Sequence, residues 1–239
     1  NTPRMESEAE VPPLSYSLSP PSEALHRATE WGCGVLSIGR SWVRYEGWLM
    51  KEAGLAGGWH MRYFFVNGSR LDYFKEETGK VQLGSGGHLG CSVDHSNMVT
   101  SVERGGGTGQ KAGVERVLQE GDVVIGVNGE PVVHETLHEA IGKVAGQTIT
   151  LTFLRPKGKI MLAGASVTVG GGRKQGGYTL QLSTNDSGSR RSRHTLICAD
   201  ERSCYGWVSS IKEAIAAAAM ETIKTTISQA LQLQALQPA

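Results

Sequence analysis

Long hydrophobic runs are absent from this 239-residue sequence. No stretch approaches the ~18–20 apolar residues that a helix needs to cross a bilayer, so we expect a soluble protein. A dominant charge is also lacking, because 24 Lys and Arg residues nearly balance 23 Asp and Glu residues. The net charge of +1 argues against a dedicated nucleic-acid-binding protein. The first residues show no basic stretch followed by an apolar one, so we expect no secretory signal.

Cysteine is scarce, and the four residues lie at scattered positions: Cys33, Cys91, Cys198 and Cys204. They form no CxxC pair and have no histidine at zinc-ligand spacing, so neither a disulfide scaffold nor a structural zinc site is expected. We therefore expect reduced thiols in a cytosolic protein.

Motifs for catalysis are lacking as well. The Gly-rich run at 105–109 is not followed by the Lys-Ser/Thr pair of a phosphate-binding loop. His134 and His138 are four residues apart, but a helix predicted to begin after Thr136 does not place both on one face. No carboxylate or cysteine completes a metal site or a nucleophile arrangement around them. The sequence therefore predicts a non-enzymatic protein without metal or cofactor.

Composition divides the chain into five segments. A segment rich in Pro, Ser and Glu buries little apolar area, so we expect a disordered or unassigned leader there. Two segments with the same strand pattern, together called the flanking unit, surround a middle segment called the inserted unit, and a helix extension with a tail comes last. In chain order, the segments are 1–43 (leader), 44–76 (first part of the flanking unit), 77–157 (inserted unit), 158–218 (second part of the flanking unit) and 219–239 (extension and tail).

The flanking unit reads as short strands followed by one helix. Three strands are predicted before the inserted unit, with a hairpin turn at Asn67-Gly68, because both residues tolerate positive φ. Four more strands are predicted after it. A closing helix then begins at the N-cap Asp200, with Trp207 and Ile211 on its apolar stripe. The seven strands are expected at 46–51, 59–66, 70–75, 159–163, 166–169, 178–183 and 193–199.

The inserted unit combines short strands with one well-marked helix. Thr136 and Glu139 form a capping box, which predicts a helix starting at Leu137. A second turn is predicted at Asn128-Gly129, and Pro156–Gly158 is interpreted as a linker back to the flanking unit. The strands are expected at 80–83, 91–94, 98–103, 122–127 and 148–154.

The inserted unit resembles a PDZ domain. The run 88–91 (HLGC) is similar to that family's carboxylate-binding loop, 121–129 (GDVVIGVNG) to the run before its second helix, and 139–141 (EAI) to that helix. The resemblance implies a β sandwich with two helices and a groove that captures the C-terminal tail of a partner. The implied peptide-binding residues are His88, Leu89, Gly90, Cys91, Ser92, Val93, Leu137, Ile141 and Val144.

The ligand preference implied by this resemblance depends on the helix register. Leu137 takes the first helical position, where family members that select Ser or Thr two residues before the ligand terminus carry His. We therefore expect apolar ligand residues at the terminus and two positions before it. A rival register places His138 at that position and predicts Ser or Thr instead.

The two parts of the flanking unit together resemble one pleckstrin-homology (PH) domain, on the runs 47–49 (GWL), 62–66 (RYFFV) and 71–75 (LDYFK) and on Trp207 in the closing helix. The resemblance implies a seven-stranded β barrel or sandwich capped by a C-terminal helix. A PDZ domain inserted after the third strand is the arrangement of syntrophins, and the combined similarity covers residues 44–218.

The PH resemblance also implies a lipid site. Phosphoinositide-binding members carry Lys at the end of the first strand and a basic-x-Arg motif on the second, which correspond to Lys51, His60 and Arg62. Histidine is only partly charged near neutral pH, so the motif is degraded. Lys75, Arg190 and Arg191 are further candidates.

The sequence thus predicts a mainly β scaffold or adaptor in the cytoplasm. Its groove would bind the tail of a membrane or cytosolic protein, and its PH part would hold it weakly at acidic phospholipids on the inner face of the plasma membrane. The alternative is a lipid-sensing peripheral module in which the PH part binds phosphoinositide and the PDZ part is auxiliary.

Overall fold

The computed structural model describes residues 35–39, 42–53, 58–83, 88–103, 114–132, 136–185 and 191–235. Twelve strands and two α-helices fall in these ranges, together with a 3-10 turn at Val114–Arg116. The strands are β1 Val35–Gly39, β2 Trp42–Glu52, β3 Trp59–Asn67, β4 Arg70–Gln82, β5 Cys91–Val93, β6 Val99–Val102, β7 Val123–Val127, β8 Glu130–Pro131, β9 Thr148–Met161, β10 Ser166–Lys174, β11 Gly177–Asn185 and β12 Arg191–Cys198. The helices are α1 Leu137–Gly142 and α2 Glu201–Ala235.

Nearly all strands belong to one antiparallel sheet of ten strands. Its order is β10-β11-β12-β2-β3-β4-β9-β7-β8, with β1 paired to β2 beside this path, while β5 and β6 form a separate two-stranded sheet. All seven strands predicted for the flanking unit are present as β2, β3, β4, β9, β10, β11 and β12. The predicted mainly β fold with a C-terminal helix is therefore confirmed, whereas a PDZ-type insertion stays a prediction.

Two long strands run without a break from the flanking unit into the inserted unit. β4 and β9 pair from Arg70↔Met161 to Gln82↔Thr148, with a register shift between Tyr73 and Phe74. The interpretation of Pro156–Gly158 as a linker is therefore wrong, because Pro156 pairs with Phe74 inside β9. The register shift accommodates the proline, since an irregularity does not need the backbone N–H that proline lacks.

Two separate hydrophobic cores correspond to the two units. Leu49, Phe64 and Trp207 lie in the core of the flanking unit, and each has no exposed surface. The second core fills the inserted unit with fourteen buried residues, which include Ile149 and Leu151. Each unit thus buries its own apolar side chains, although they share the β4–β9 ribbon.

The helix α2 closes the flanking unit as predicted. Asp200 caps it, with its Oδ1 accepting a hydrogen bond of 2.8 Å from the Ser203 backbone N–H. Beyond Ala218 the helix continues to Ala235, and Ile223 and Ile227 are more than half exposed there. The helix thus runs through the predicted extension as far as Ala235, and residues 236–239 lie outside the described ranges.

Three further expectations need correction. Within the segment 1–43, expected to be disordered or unassigned, β1 and the start of β2 form a hairpin from Val35↔Glu46 to Gly39↔Trp42, while residues 1–34 lie outside the described ranges. Of the two helices expected in the inserted unit, its described ranges contain α1 and the 3-10 turn at Val114–Arg116. The hairpin turn after β3 is Gly68-Ser69, one residue later than predicted, because Asn67 still pairs with Arg70.

Replacing residues 79–157 with a short Gly/Ser linker is expected to leave a flanking unit that unfolds cooperatively. Tyr73 and Gly158 are Cα partners, so the two ends to be joined start from neighbouring strands. Shortening a loop from ~80 to ~10 residues lowers the entropic cost of closing it by about 2 kcal/mol, so the flanking unit should fold without the insertion. Urea denaturation followed by circular dichroism measures the transition. A gradual transition in this variant, together with a cooperative one for residues 158–239 alone, would contradict a split unit.

Candidate peptide-binding and lipid-binding sites

The predicted carboxylate-binding loop leads into a strand with one open edge. Gly90 has φ +75°, a left-handed conformation that favours glycine, and its carbonyl oxygen accepts a hydrogen bond of 2.9 Å from the Glu103 N–H. β5 then pairs with β6 through Cys91↔Val102 and Ser92↔Ser101. Among the strands of the described ranges, β6 is the one partner of β5. The other edge of β5 therefore offers backbone groups to which an extended peptide can add.

The helix α1 begins where the capping box predicts. The Thr136 N–H donates to Glu139 Oε2 at 2.7 Å, and the Glu139 N–H donates to Thr136 Oγ1 at 3.3 Å. A second anchor is Asn97, whose Oδ1 accepts a hydrogen bond of 2.8 Å from the Leu137 N–H. Sequence reasoning missed Asn97, because its partner is 40 residues away. The residues around Asn97 form a turn, which is all that the neighbouring sequence indicates. Asn97 has φ +59°, and Asp94 accepts hydrogen bonds from the Ser96 and Met98 N–H groups.

The structure brings the predicted groove residues together around the second core, but it does not leave them equally accessible. Leu89, Leu137 and Ile141 are 6, 1 and 3% exposed and belong to that core. Three other predicted residues, Cys91, Val93 and Val144, are half-buried and pack against it, whereas His88 and Ser92 are exposed and Gly90 is half-buried. A ligand side chain would meet the half-buried residues first, and contact with Leu137 or Ile141 requires those side chains to move.

A carboxylate lies beside the candidate loop. Burial and the nearby Glu103 carboxylate raise the pKa of Cys91 to about 11, so this thiol is neutral at physiological pH. A Cβ added to Gly90 would lie 3.9 Å from Glu103 Oε2. Glu103 was not anticipated from sequence, and its charge opposes a ligand carboxylate at this loop.

Thr136→Ala is expected to reduce the free energy of unfolding of the inserted unit by about 1 kcal/mol, because it removes the N-cap acceptor. Urea denaturation of the full chain measures the change. The exposed Thr100→Ala on β6 is the control, since its hydroxyl bonds a single carbonyl at 3.2 Å and caps no helix. Equal losses for both variants would contradict the capping role.

The basic residues predicted for lipid binding lie on two neighbouring strands of the flanking unit. Lys51 on β2 and His60 on β3 are Cα partners, and Arg62 lies two residues further along β3. Because strand side chains alternate, these residues share the face of the core residues Leu49 and Phe64 and continue it past the end of the core. The structure thus brings Lys51, His60 and Arg62 together.

Lys51 shows the effect of this crowding. Burial and the positive charge of Arg62 lower the pKa of Lys51, with Glu52 opposing them. The Lys51 ammonium nitrogen lies 5.4 Å from the centroid of the Tyr73 ring and donates to the Glu52 carbonyl at 3.3 Å. A bound anion would relieve the repulsion between Lys51 and Arg62.

The other three lipid candidates are less well supported. Lys75 is paired to Glu77, with 3.1 Å between its Nζ and Oε1, and shares this carboxylate with Arg155 and Lys157. Arg190 lies outside the described residues. The backbone of Arg191 pairs with Asn185, and its side chain is not among those described.

Comparisons with known proteins cover parts of the chain. No protein-family model matches it. Rho GTPase-activating protein 24 of Rattus norvegicus is 41% identical over 49 residues, which are 20% of this chain and 7% of that protein. The chain thus corresponds to a small part of that relative. The solution structure of the PH domain of human oxysterol binding protein-related protein 11 is 16% identical, with a TM-score of 0.35, covering 77% of this chain and 90% of that one.

Neither described helix combines the length and the apolar character needed to span a bilayer. Within the described ranges, no three His, Cys, Asp or Glu side chains are grouped so that they could hold a metal ion. Within the described ranges, Cys91, Cys198 and Cys204 are not joined in a disulfide, and Cys33 lies outside these ranges.

Proposed function

We propose that the protein is a non-enzymatic scaffold that binds an extended peptide along the open edge of β5. The observation that carries this proposal is the sequence of elements there: the left-handed Gly90, the edge of β5 and the capped helix α1 around one core. A peptide that adds to such an edge gains main-chain hydrogen bonds, and pockets for alternate side chains give specificity.

The expected ligand is the tail of a membrane or cytosolic protein with apolar residues at its terminus and two positions before it. Cys91, Val93 and Val144 form the half-buried margin that such side chains meet first. Leu137 must move to admit a ligand side chain, and it has no polar group to bond a ligand hydroxyl, which supports an apolar residue over Ser or Thr.

A pair of glycine variants tests the site on an array of random C-terminal hexapeptides. Gly90→Ala is expected to weaken binding at least ~10-fold, because a Cβ there is strained at φ +75° and lies 3.4 Å from Val114 Cγ1. Gly129→Ala is the matched control, since it has φ +85°, open space for a Cβ and a place in the β7–β8 turn. Equal binding by both variants would contradict a site at β5, and selection of Ser or Thr before the terminus would favour the register with His138.

Glu103→Gln is expected to strengthen binding of peptides with a free terminal carboxylate by roughly 3–10-fold. The change removes a negative charge beside Gly90, and a repulsion of about 1 kcal/mol between exposed charges corresponds to such a factor. Fluorescence anisotropy with peptides selected on the array measures it, and their C-terminal amides are the control. An equal gain for the amides would show that charge repulsion is not the cause.

A second role, weak attachment to anionic lipid, is supported by the cluster of Lys51, His60 and Arg62. Each well-placed basic residue contributes ~1 kcal/mol near an anionic surface, and screening limits its reach to ~8 Å at physiological salt. Flotation with phosphatidylserine vesicles should therefore show salt-sensitive binding that the double variant Lys51→Gln/Arg62→Gln removes. Tight phosphoinositide binding without any array signal would favour the lipid-sensing alternative.

A further inference from the structure

The outer face of the flanking sheet carries large apolar side chains that belong to neither core. Strand register places Trp48, Tyr63, Phe74 and Pro156 side by side across β2, β3, β4 and β9. The Trp48 and Tyr63 rings meet edge-on with their centroids 5.3 Å apart. Because side chains alternate along a strand, this row points away from the core residue Phe64 and from the helix that packs on it.

The apolar row continues toward the β2–β3 loop. Met50 and Met61 are Cα partners one pleat beyond Trp48, and Trp59 follows opposite Glu52. Trp48, Met50, Trp59 and Met61 are all half-buried. Such a contiguous surface of aromatic and Met side chains is uncommon on a face turned away from the core and is typical of an interaction site.

Carboxylates lie among these rings. Glu46 and Glu52 are on the same face of β2, and Glu76 follows Phe74 by one pleat on β4. Burial raises the pKa of Glu76, as expected for a carboxyl in apolar surroundings. Arg70 and Lys159 share this face but lie at the β3–β4 turn, and Arg70 is paired to Asp72 at 2.9 Å.

We propose that this outer aromatic face, formed by Trp48, Trp59, Tyr63, Glu52 and Glu76, binds an extended, arginine-containing segment of a partner protein. A guanidinium stacks on aromatic rings and pairs with carboxylates at the same time, which matches the alternation of rings and acids here. A second copy of the face would bring Glu52 and Glu76 against like charges. An anionic membrane would likewise be repelled by the Glu52 and Glu76 carboxylates.

Fluorescence anisotropy with labelled octa-arginine, octa-lysine and octa-glutamate tests the proposal on the full chain at physiological salt. Octa-arginine should bind at least ~5-fold more tightly than octa-lysine, because arginine stacks better on rings, and octa-glutamate should not bind. Glu52→Gln should weaken both cationic peptides ~3–10-fold. Trp59→Leu should reduce octa-arginine binding to the level of octa-lysine, and the exposed Glu130→Gln on β8 should change neither.

Three results would overturn the proposal. One is equal affinity for the arginine and lysine peptides, and another is unchanged octa-arginine binding in Glu52→Gln, an exposed change that the fold should tolerate. The third is evidence that a second copy of the chain or a lipid, and not an arginine-containing segment, occupies the outer aromatic face. Self-association in sedimentation that Trp59→Leu abolishes would assign the face to a second copy, and a shift of tryptophan fluorescence with neutral phosphatidylcholine vesicles that Trp59→Leu removes would assign it to lipid.

Discussion

Trp207→Ala is expected to lower the free energy of unfolding of the flanking unit by about 3–5 kcal/mol, the usual loss when a buried aromatic side chain is truncated. Trp207 has no exposed surface and meets the Tyr45 and Phe64 rings edge-on, at centroid distances of 4.8 and 6.5 Å. It attaches α2 to strands that precede the insertion, so its loss affects both parts of the unit. Urea denaturation of the full chain measures the change.

Two variants on the same helix separate packing from helix propensity. Tyr205→Ala changes a side chain that is 55% exposed and is expected to cost less than about 0.5 kcal/mol. Trp207→Phe should cost clearly less than Trp207→Ala. It retains a ring and removes Nε1–H, which is buried without a hydrogen-bond partner among the described residues. A similar loss for Tyr205→Ala and Trp207→Ala would show that α2 is not held by this core.

The elements that could be predicted from sequence depend on neighbouring residues. Thr136 and Glu139 are three residues apart, and their capping box forms as expected. Asn128 and Gly129 both adopt positive φ, as their turn requires. The strands of the flanking unit could be predicted for the same reason, since alternation of apolar residues is a local pattern.

The failures arise where distant contacts override a local signal. Pro156 normally ends a strand, yet its pairing with Phe74, 82 positions earlier in the chain, keeps β9 continuous. Asn97 resembles an ordinary turn residue until the chain brings it to the Leu137 N–H. Leu137 and Ile141 stay predicted groove residues, and distant contacts within the core of the inserted unit bury both side chains.

The candidate sites follow the same division. Lys51, His60 and Arg62 were implied by the PH resemblance, and the structure places them together on two paired strands. Lys75 was included with them, although Glu77 two residues later was a visible local partner. The charge of Glu103 beside Gly90 depends on the β5–β6 register, which no local pattern specifies.

Arg155→Met is expected to destabilise the protein by about 3 kcal/mol, because it leaves a buried carboxylate without its counter-charge. Arg155 donates to both oxygens of Asp122, at 3.1 and 2.7 Å, and to the Val117 carbonyl at 2.6 Å. Its Nη1 also contacts Glu77 Oε2 at 2.7 Å. The Asp122 side chain is fully buried, so water cannot replace the guanidinium. The loss should appear in urea denaturation of the full chain.

Lys157→Met is the matched control, since Lys157 is more exposed and lies 3.7 Å from the same Glu77 carboxylate. It should cost less than about 1 kcal/mol, as exposed ion pairs do. Adding Asp122→Asn to Arg155→Met should recover part of the loss, because a neutral amide needs no counter-charge. A larger loss in the double variant would show that the unpaired Asp122 charge is not the cause and that Asp122 contributes through other contacts, such as the hydrogen bond of 2.9 Å it accepts from the Gln119 N–H.

The pH dependence of stability gives an independent test of the ion pairs around Arg155 and Glu77. Burial tends to raise the pKa of Glu77, but hydrogen bonding to Lys75 and the charges of Arg155, Lys75 and Lys157 outweigh it and lower that pKa below its ordinary 4.5. A lowered folded-state pKa means that the stabilisation is present above pH ~4.5 and is lost as the pH falls through the folded-state value. Arg155→Met removes one of the charges that lower it, so the fall in stability below pH ~4.5 should be shallower than in the unmodified chain. If the free energy of unfolding falls equally in both proteins below pH ~4.5, the Arg155–Glu77 pair contributes nothing to folding.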